Sequence, residues 1–179
     1  KYAVGAEVVE VLVHTGAFGI HAALSGAQSV EGLDVSEDAL ALAQRHALLN
    51  KVEDRCVYRT GDAFEEMRKL KQAGRRYGLV LLDPPAFARS KQAVSRALAG
   101  YKDVNLHGIR LTRPEGFLIT SSCSHHVTEQ DLWTAICLAA RDAKRQVRLL
   151  ESRGQASDHP ILATMPETRY LKYSLLQVL

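Results

Sequence analysis

The chain has 179 residues, of which 46% are hydrophobic and 24% are charged, as is ordinary for one globular domain with a sizeable core. This composition argues against a disordered or fibrous protein, and no apolar run approaches the roughly eighteen residues of a membrane-spanning helix. The net charge of +3 permits an RNA partner without indicating one. The start of the chain lacks the zones of a secretory signal, so we expect a cytoplasmic protein.

Apolar segments alternate with helical segments along the chain, which predicts a parallel sheet with crossover helices. The predicted strands are residues 8–13, 29–33, 56–59, 79–82 and 117–120. The predicted helices are residues 36–49, with Ser36 as N-cap, 63–71, 104–111 and 131–144. Two late strands, 147–151 and 170–178, predict a terminal antiparallel hairpin around the irregular stretch 152–168. We expect a single domain over residues 1–179, and its abrupt first strand suggests a piece of a longer protein.

A glycine turn, Thr15-Gly16-Ala17-Phe18-Gly19, follows the first predicted strand. Open α/β sheets bind ligands at this carboxyl edge, where glycine lets the backbone approach a ligand closely. The spacing is not the GxGxxG of a dinucleotide site, and the chain contains no GxxxxGK[ST] phosphate loop. A cofactor without a pyrophosphate fits this turn better than NAD or ATP.

Three acidic residues accompany the first three strands. Asp34 ends the second strand, where a carboxylate accepts hydrogen bonds from both hydroxyls of a ribose. Asp62 opens the helix after the third strand and is placed to accept from an adenine amino group. Glu10 lies inside the first strand and needs a polar partner, for which a cofactor amino group is one candidate. The alternative role for Asp34 and Asp62 is helix capping, but three such acids favour a binding role.

The three cysteines, Cys56, Cys123 and Cys137, form no CxxC pair, so the sequence indicates neither a disulfide framework nor a zinc knuckle. Inert packing is the prediction for Cys56 and Cys137. The spacing of Cys123, His125, His126 and His159 fits no common zinc finger, and we predict no metal site.

Several segments together resemble a known family: VVEVLVHTGAFGIHAAL, EGLDVSEDALALAQRHALLN, GDAF, LVLLDPPAFARSK, TSSCSHH, GQASDHPIL and PETRYLK. They are similar to the catalytic domain of the large-subunit ribosomal RNA cytosine-C5 methyltransferases of the RlmI-like group, over essentially the whole chain. The resemblance implies a Rossmann-like class I methyltransferase fold with a mostly parallel seven-stranded sheet. It also implies S-adenosylmethionine (SAM) as methyl donor, 23S ribosomal RNA as substrate and, for some members, a homodimer. Family members carry a PUA-type RNA-binding module ahead of this domain, and without it we expect weak RNA affinity.

The residues that match the family's cofactor-binding positions are Thr15, Gly16, Phe18, Asp34, Asp62 and Asp83. Two positions depart from the usual pattern, because Glu10 replaces an aspartate and Ala17 replaces a glycine. The longer acid and the added methyl group both crowd the implied cofactor pocket.

The resemblance assigns the catalytic roles to Cys123 and Asp83. Carbon 5 of cytosine is a poor nucleophile, so its methylation requires a temporary bond to carbon 6, for which a thiolate such as that of Cys123 is suited. Asp83 is placed to support protonation of cytosine N3 during that attack. The neighbouring His125 and His126 are expected to lower the thiol pKa or to orient the loop. Ala86 stands where the broader group has a second cysteine, so the base that removes the carbon-5 proton is not identified.

The predicted base pocket follows the fourth strand and admits only a base taken out of its stack. Its predicted substrate-binding residues are Pro84, Pro85, Phe87, Arg89 and Lys91. Phe87 and Tyr101 are either stacking partners or core residues. The basic stretch, which continues to Arg96 and Lys102, either contacts phosphate or is a solvated face. We expect the loop 155–160 to be structural, closing over the site.

Two other functions remain open from the sequence. An Asp-Pro-Pro turn followed by an aromatic residue also serves enzymes that methylate exocyclic amino groups, and those enzymes need no cysteine. A non-catalytic SAM-binding module is the second alternative, given the changes at Glu10 and Ala17.

Overall fold

The computed structural model describes residues 1–88 and 90–179 and contains a single sheet of seven strands. The strands are β1 (Glu7–Val11), β2 (Ser29–Asp34), β3 (Cys56–Thr60), β4 (Tyr77–Leu82), β5 (Thr112–Ser122), β6 (Val147–Arg153) and β7 (Lys172–Val178). The α-helices are α1 (Ala17–Leu24), α2 (Glu37–Leu49), α3 (Ala63–Gln72), α4 (Val94–Leu111) and α5 (Glu129–Ala143). Short 3-10 turns occupy Lys91–Ala93 and Pro166–Thr168.

The strand order across the sheet is β3-β2-β1-β4-β5-β7-β6. β1 to β5 pair in parallel, whereas β7 runs antiparallel to both β5 and β6. This order confirms the predicted Rossmann-like, mostly parallel seven-stranded sheet with an antiparallel hairpin at its end. It also brings the carboxyl ends of β1, β2, β4 and β5 to one edge, where open α/β sheets bind ligands.

Two apolar cores pack against opposite faces of the sheet because successive side chains of a strand point to opposite sides. In β1, Val9 and Val11 belong to the core that α3, α4 and α5 cover, together with Tyr101. Val8 belongs to the core that α1 and α2 cover, together with Ile20. The central strands β1 and β4 are therefore buried on both faces, whereas the outer strands β3 and β6 are largely exposed.

Side-chain caps fix where several helices begin. Ser36 Oγ accepts from the Ala39 amide at 3.2 Å, as the sequence predicts. Thr128 caps α5, and the Asp131 carboxylate accepts a hydrogen bond from the Thr128 backbone N–H in a capping box. Within the described residues no helix combines the length and the apolarity needed to cross a membrane.

Two elements begin well before the residues that the sequence predicts. α4 begins at Val94 rather than at residue 104, and it passes through Gly100, a residue that disfavours helix interiors. The Phe87 ring packs beside that glycine, so a Cβ there would lie 3.2 Å from Phe87 Cδ2. β5 begins at Thr112 and runs through a Pro-Glu-Gly segment in which Glu115 has a φ of 61°.

Candidate active site

A crevice of about 640 Å³ opens at the carboxyl edge of the sheet. Its walls come from the loops after β1, β2, β4 and β5 and from the long loop between β6 and β7. The residues that line it are Leu12, His14, Asp34, Val35, Asp83, Pro84, Pro85, Cys123, Gln155, Ala156, Asp158, His159, Tyr170 and Leu171. The structure thus brings together Asp34, Asp83 and Cys123, which are far apart in sequence.

The Asp34 carboxylate is held by two backbone amides. Oδ2 accepts from the His14 N–H at 2.8 Å, and Oδ1 accepts from the Ser36 N–H at 3.0 Å. Each carboxylate oxygen has two lone pairs, so each retains one for a ligand in the crevice. Asp34 therefore connects the loops that follow β1 and β2, and its two carboxylate oxygens are held in place as hydrogen-bond acceptors for a ligand.

The glycine turn leads into α1. Gly16 is the N-cap of that helix with a φ of +81°, a left-handed conformation that glycine adopts without strain. A Cβ on Gly16 would lie 2.9 Å from the Tyr58 hydroxyl and 3.0 Å from Ala43 Cβ. The neighbouring Thr15 is half-buried, and its carbonyl lies 3.1 Å from His46 Nδ1. The turn is thus fixed both by conformation and by close packing on α2 and β3.

Glu10 is only 2% exposed and points from β1 to the first turns of α1. Its Oε2 accepts from the Gly19 amide at 2.9 Å, so the buried carboxyl has a protein partner. Burial, reinforced by the charges of Asp83 and Asp34, raises the Glu10 pKa to about 7, although the amides of Gly19 and Phe18 oppose the shift. Together with Phe18, Asp83 and Tyr173, Glu10 lines a small cavity of about 20 Å³ behind the main crevice.

Asp83-Pro84-Pro85 leaves β4 at the floor of the crevice. Ser121 Oγ donates a hydrogen bond to Asp83 Oδ1, which links the ends of the parallel strands β4 and β5. Pro84 is buried and Pro85 is exposed, and both residues line the crevice. Because their rings restrict the backbone, this part of the crevice has a fixed shape.

The serines around Cys123 anchor its loop. Ser122 Oγ donates to the Tyr101 hydroxyl at 2.8 Å, and Ser124 Oγ lies 2.9 Å from the same hydroxyl. Ser124 Oγ also accepts from the Ala88 amide at 3.2 Å. Tyr101 itself is completely buried in α4. The hydroxyls of Ser122 and Ser124 are therefore buried on either side of Cys123, whose half-buried thiol faces the crevice.

Burial raises the pKa of the Cys123 thiol, the Asp83 charge raises it further, and Lys172 lowers it. Lys172 Nζ donates to the carbonyl oxygens of Ser124 at 2.6 Å and of Tyr170 at 2.7 Å. The cation that acts on the thiol is thus Lys172 rather than the two histidines, both of which are exposed. His125 instead contacts the late loop, with Nδ1 3.0 Å from the Glu167 carbonyl oxygen.

The loop between β6 and β7 forms the far wall of the crevice, as the sequence predicts. Gln155 holds this loop together, since its Nε2 donates to the Thr168 carbonyl at 2.5 Å and to the His159 carbonyl at 3.1 Å. Its Oε1 accepts from the Tyr170 amide at 3.2 Å. One amide side chain therefore ties both ends of the loop together beside the crevice.

A comparison with protein families supports this description of the chain. The family model described as "Conserved hypothetical protein 95" matches residues 1–133. The chain belongs to this family.

Curated relatives of this family member confirm the resemblance predicted from its motifs. One from Tolumonas auensis is 40% identical over 173 residues, which are 96% of this chain and 44% of that protein. One from Shewanella denitrificans is 40% identical over 174 residues, again 96% of this chain and 44% of the relative. Both are named Ribosomal RNA large subunit methyltransferase I. The chain thus spans less than half the length of these relatives.

Solved structures share its fold. A protein assigned as a methyltransferase and crystallised with SAH superposes with a TM-score of 0.86 at 23% identity, covering 98% of this chain and 46% of that protein. A protein assigned as a SAM-dependent methyltransferase, from Streptococcus mutans, gives 0.86 at 21% identity, covering 98% and 45%. The family member therefore has the Rossmann-like fold of these proteins.

Other predicted site residues lie away from the crevice wall. Asp62 is exposed and caps α3, where its Oδ1 accepts from the Glu65 amide at 3.0 Å. Phe87 packs on Tyr101, with ring centroids 4.8 Å apart, and Lys91 is exposed in its 3-10 turn. Arg89 lies outside the described residues.

Sequence reasoning did not assign the roles of two residues that shape the site. Tyr101, weighed as a stacking or core residue, is a core residue, and its hydroxyl also anchors the loop that carries Cys123. Lys172 ends the PETRYLK segment and was given no role, although a lysine between apolar and aromatic strand residues is unusual enough to be a signal.

Proposed function

We propose that this chain is the catalytic domain of a SAM-dependent methyltransferase that forms 5-methylcytosine in 23S ribosomal RNA, with Cys123 as nucleophile. The names of its relatives support the activity and the class of substrate. The observation that carries the proposal is that the Cys123 thiol and the carboxylates of Asp34 and Asp83 line one crevice.

The crevice fits SAM in size and in charge. Its volume of about 640 Å³ lies within the range of small-molecule sites. The free lone pairs of Asp34 suit two ribose hydroxyls, and the negative charges of Asp34 and Asp83 suit a cationic sulfonium ligand. A structural neighbour was crystallised with SAH. When bound, SAM would supply the methyl group.

The chain's own residues then account for the chemistry on the base. The Cys123 sulfur forms a bond to cytosine carbon 6, and the electron pair displaced from the ring makes carbon 5 nucleophilic as N3 gains a proton. After carbon 5 has been methylated, water takes up the carbon-5 proton as the sulfur–carbon bond breaks, and the proton on N3 returns to the sulfur, so that 5-methylcytosine and the thiol are restored. Cys123 thus begins and ends the cycle unchanged.

The electrostatics define a task for Asp83. Because burial and the Asp83 charge raise the pKa of Cys123, the resting side chain is mostly a protonated thiol at neutral pH. In this scheme Asp83 accepts the thiol proton and delivers it to N3, so the attack step needs no other acid. The hydrogen bond from Ser121 fixes the carboxylate for that transfer.

A covalent-trapping assay tests the proposal. Ribosomal RNA fragments containing 5-fluorocytosine, whose fluorine cannot leave as a proton does, should accumulate a protein–RNA adduct with SAM. We expect the adduct in the wild-type chain and in Cys137→Ala, which changes an exposed cysteine, but not in Cys123→Ala. A Cys123→Ala variant that still methylates RNA would refute the cysteine mechanism and favour methylation of an exocyclic amino group.

Calorimetric titration with SAM distinguishes the remaining alternative. Binding of SAM by a wild-type chain that neither forms an adduct nor methylates the RNA would indicate a non-catalytic SAM-binding module. The same assay on a version extended at its N-terminus would then separate that outcome from weak RNA affinity. Phosphate contacts by Arg89 and Lys91, and a homodimer, stay predictions.

A further inference from the structure

We propose that Lys172 is a positioning residue for the nucleophile: its ammonium group fixes the Cys123 loop against the β7 end of the late hairpin and stabilises the thiolate. The proposal deepens the proposed function, since it concerns how the same thiol is activated. Nothing in the family motifs or in the names of relatives assigns this role.

Lys172 contacts the residues on both sides of Cys123. In the β5–β7 ladder Lys172 pairs with Ser122, the residue before Cys123. Its Nζ reaches the carbonyl of Ser124, the residue after Cys123, at 2.6 Å. The second bond, to the Tyr170 carbonyl at 2.7 Å, ties the same ammonium to the crevice wall. The lysine therefore holds the loop in place both before and after the nucleophile.

The charge of Lys172 is held in partly desolvated surroundings, where it acts more strongly than on the surface. The side chain is half-buried, and burial lowers its pKa, although Cys123 and Asp131 oppose that shift. A cation in this position favours the thiolate, as Lys172 lowers the Cys123 pKa against the effects of burial and Asp83. The late hairpin thus supplies the charge that the neighbouring histidines do not.

Other titratable groups face the pair from the surrounding elements. Those that share the crevice with Cys123 are His14, Asp34, Asp83, Asp158 and His159. Those that share with Lys172 the cavity of about 410 Å³ behind the loop are His125, Glu129, Arg153 and Arg169, and Asp131 acts on it by charge. Replacement of Lys172 alone removes its ammonium group and leaves the side chains of these other groups chemically unchanged.

The test follows alkylation of Cys123 by iodoacetamide as a function of pH, with mass spectrometry of its peptide and no RNA present. The variants are Lys172→Met, which removes the charge, and Lys172→Arg, which keeps it. Lys71→Met, at an exposed site on α3, is the matched control. We expect the alkylation midpoint to rise in Lys172→Met, because a cation that favours the thiolate is lost, and to stay near the wild-type value in the other two. A Lys172→Met midpoint equal to that of the wild type would overturn the proposal.

Buried Cys56 reports whether each variant is folded, because it should alkylate slowly in an intact core. If Lys172→Met exposes Cys56, the midpoint is measured in Lys172→Gln, which retains an amide donor for the Ser124 carbonyl but has no charge. A Lys172→Gln midpoint equal to that of the wild type would likewise overturn the proposal. A shifted midpoint in a chain that forms no RNA adduct would support the Lys172 proposal and count against the cytosine-C5 proposal, so the two can fail separately.

Discussion

The Tyr101 hydroxyl lies 2.9 Å from Ser124 Oγ, inside a core from which solvent is excluded. The same hydroxyl accepts from Ser122, so one phenol satisfies the polar groups on both sides of Cys123. A buried hydroxyl without a partner costs free energy, and this network therefore favours one arrangement of the loop. The orientation of the thiol depends on a tyrosine that does not line the crevice.

Replacement of Tyr101 by phenylalanine should destabilise the chain and misplace the thiol. The ring still fills the core, but Ser122 and Ser124 lose a shared partner, at a cost of about 1–3 kcal/mol. Urea unfolding measures the loss, and the trapping assay should show less adduct at equal SAM affinity. Tyr2→Phe, near the start of the chain, is the control. Unchanged stability and adduct yield in Tyr101→Phe would show that the network has no such role.

Asp34→Asn should weaken SAM binding at least about tenfold, since hydrogen bonds to a charged group are worth roughly 1.5–3 kcal/mol. An amide offers one acceptor atom where the carboxylate offers two, so it cannot hold both the His14 and the Ser36 amides and also serve a ribose. Calorimetry on Asp34→Asn and on Asp38→Asn, an exposed acid in the first turn of α2, checks this. Equal affinities would remove Asp34 from the cofactor site.

Glu10 should make the chain less stable as the pH rises through neutrality. Its pKa is raised from 4.5 to about 7 in the folded chain, so the folded state holds a proton that the unfolded state loses. The contribution is complete below about pH 4.5 and is lost as the pH passes through about 7, with a size of about 3 kcal/mol. Unfolding free energies measured by urea titration between pH 5 and 8 should therefore fall with pH.

The Glu10→Gln variant provides the comparison for that pH series. Glutamine stays neutral and still offers an oxygen to the Gly19 amide, so its stability should vary less over the same range. Glu37→Gln, an exposed acid on α2, should retain the wild-type slope. If wild type and Glu10→Gln show parallel curves, Glu10 is ionised in the folded state at neutral pH.

Gln155→Ala should loosen the wall of the crevice without unfolding the domain. Removal of the amide frees the Thr168 and His159 carbonyls and the Tyr170 N–H. We expect hydrogen exchange of the Tyr170 amide to accelerate about tenfold, as loss of roughly 1.4 kcal/mol of local protection predicts. Exchange in β1 and β4 should not change. Gln130→Ala, on the exposed side of α5, should leave the loop as it is in the wild type.

Much of the fold follows from the sequence because strands buried on both faces need continuous apolar runs. β4, with all six residues buried, was predicted at its carboxyl end. The start of α4 was missed because Gly100 lowers local helix propensity, and its contact with Phe87 belongs to tertiary structure. The start of β5 was missed because Pro114-Glu115-Gly116 looks like a turn, yet these residues lie within the strand.

In the candidate site, too, the sequence predicts the local features but not the contacts between distant segments. Strand ends are local features, so the sequence could predict that Asp34, Asp83 and Cys123 meet at one edge. Contacts between distant segments are not local. Lys172 and Ser124 are 48 residues apart in sequence, so no local pattern predicts their hydrogen bond. The contact of Tyr101 with Ser124 was not predicted for the same reason.

The position of β7 has a consequence for how the protein is made. β7 follows β6 in sequence but lies between β5 and β6 in the sheet. During synthesis β6 therefore has no neighbour in the sheet until β7 has been made, and Lys172 reaches the Ser124 carbonyl only then. A nascent chain that stops before β7 thus has its glycine turn and Asp34 but lacks the lysine that holds the Cys123 loop. The Cys123 side of the crevice is completed later than the Asp34 side.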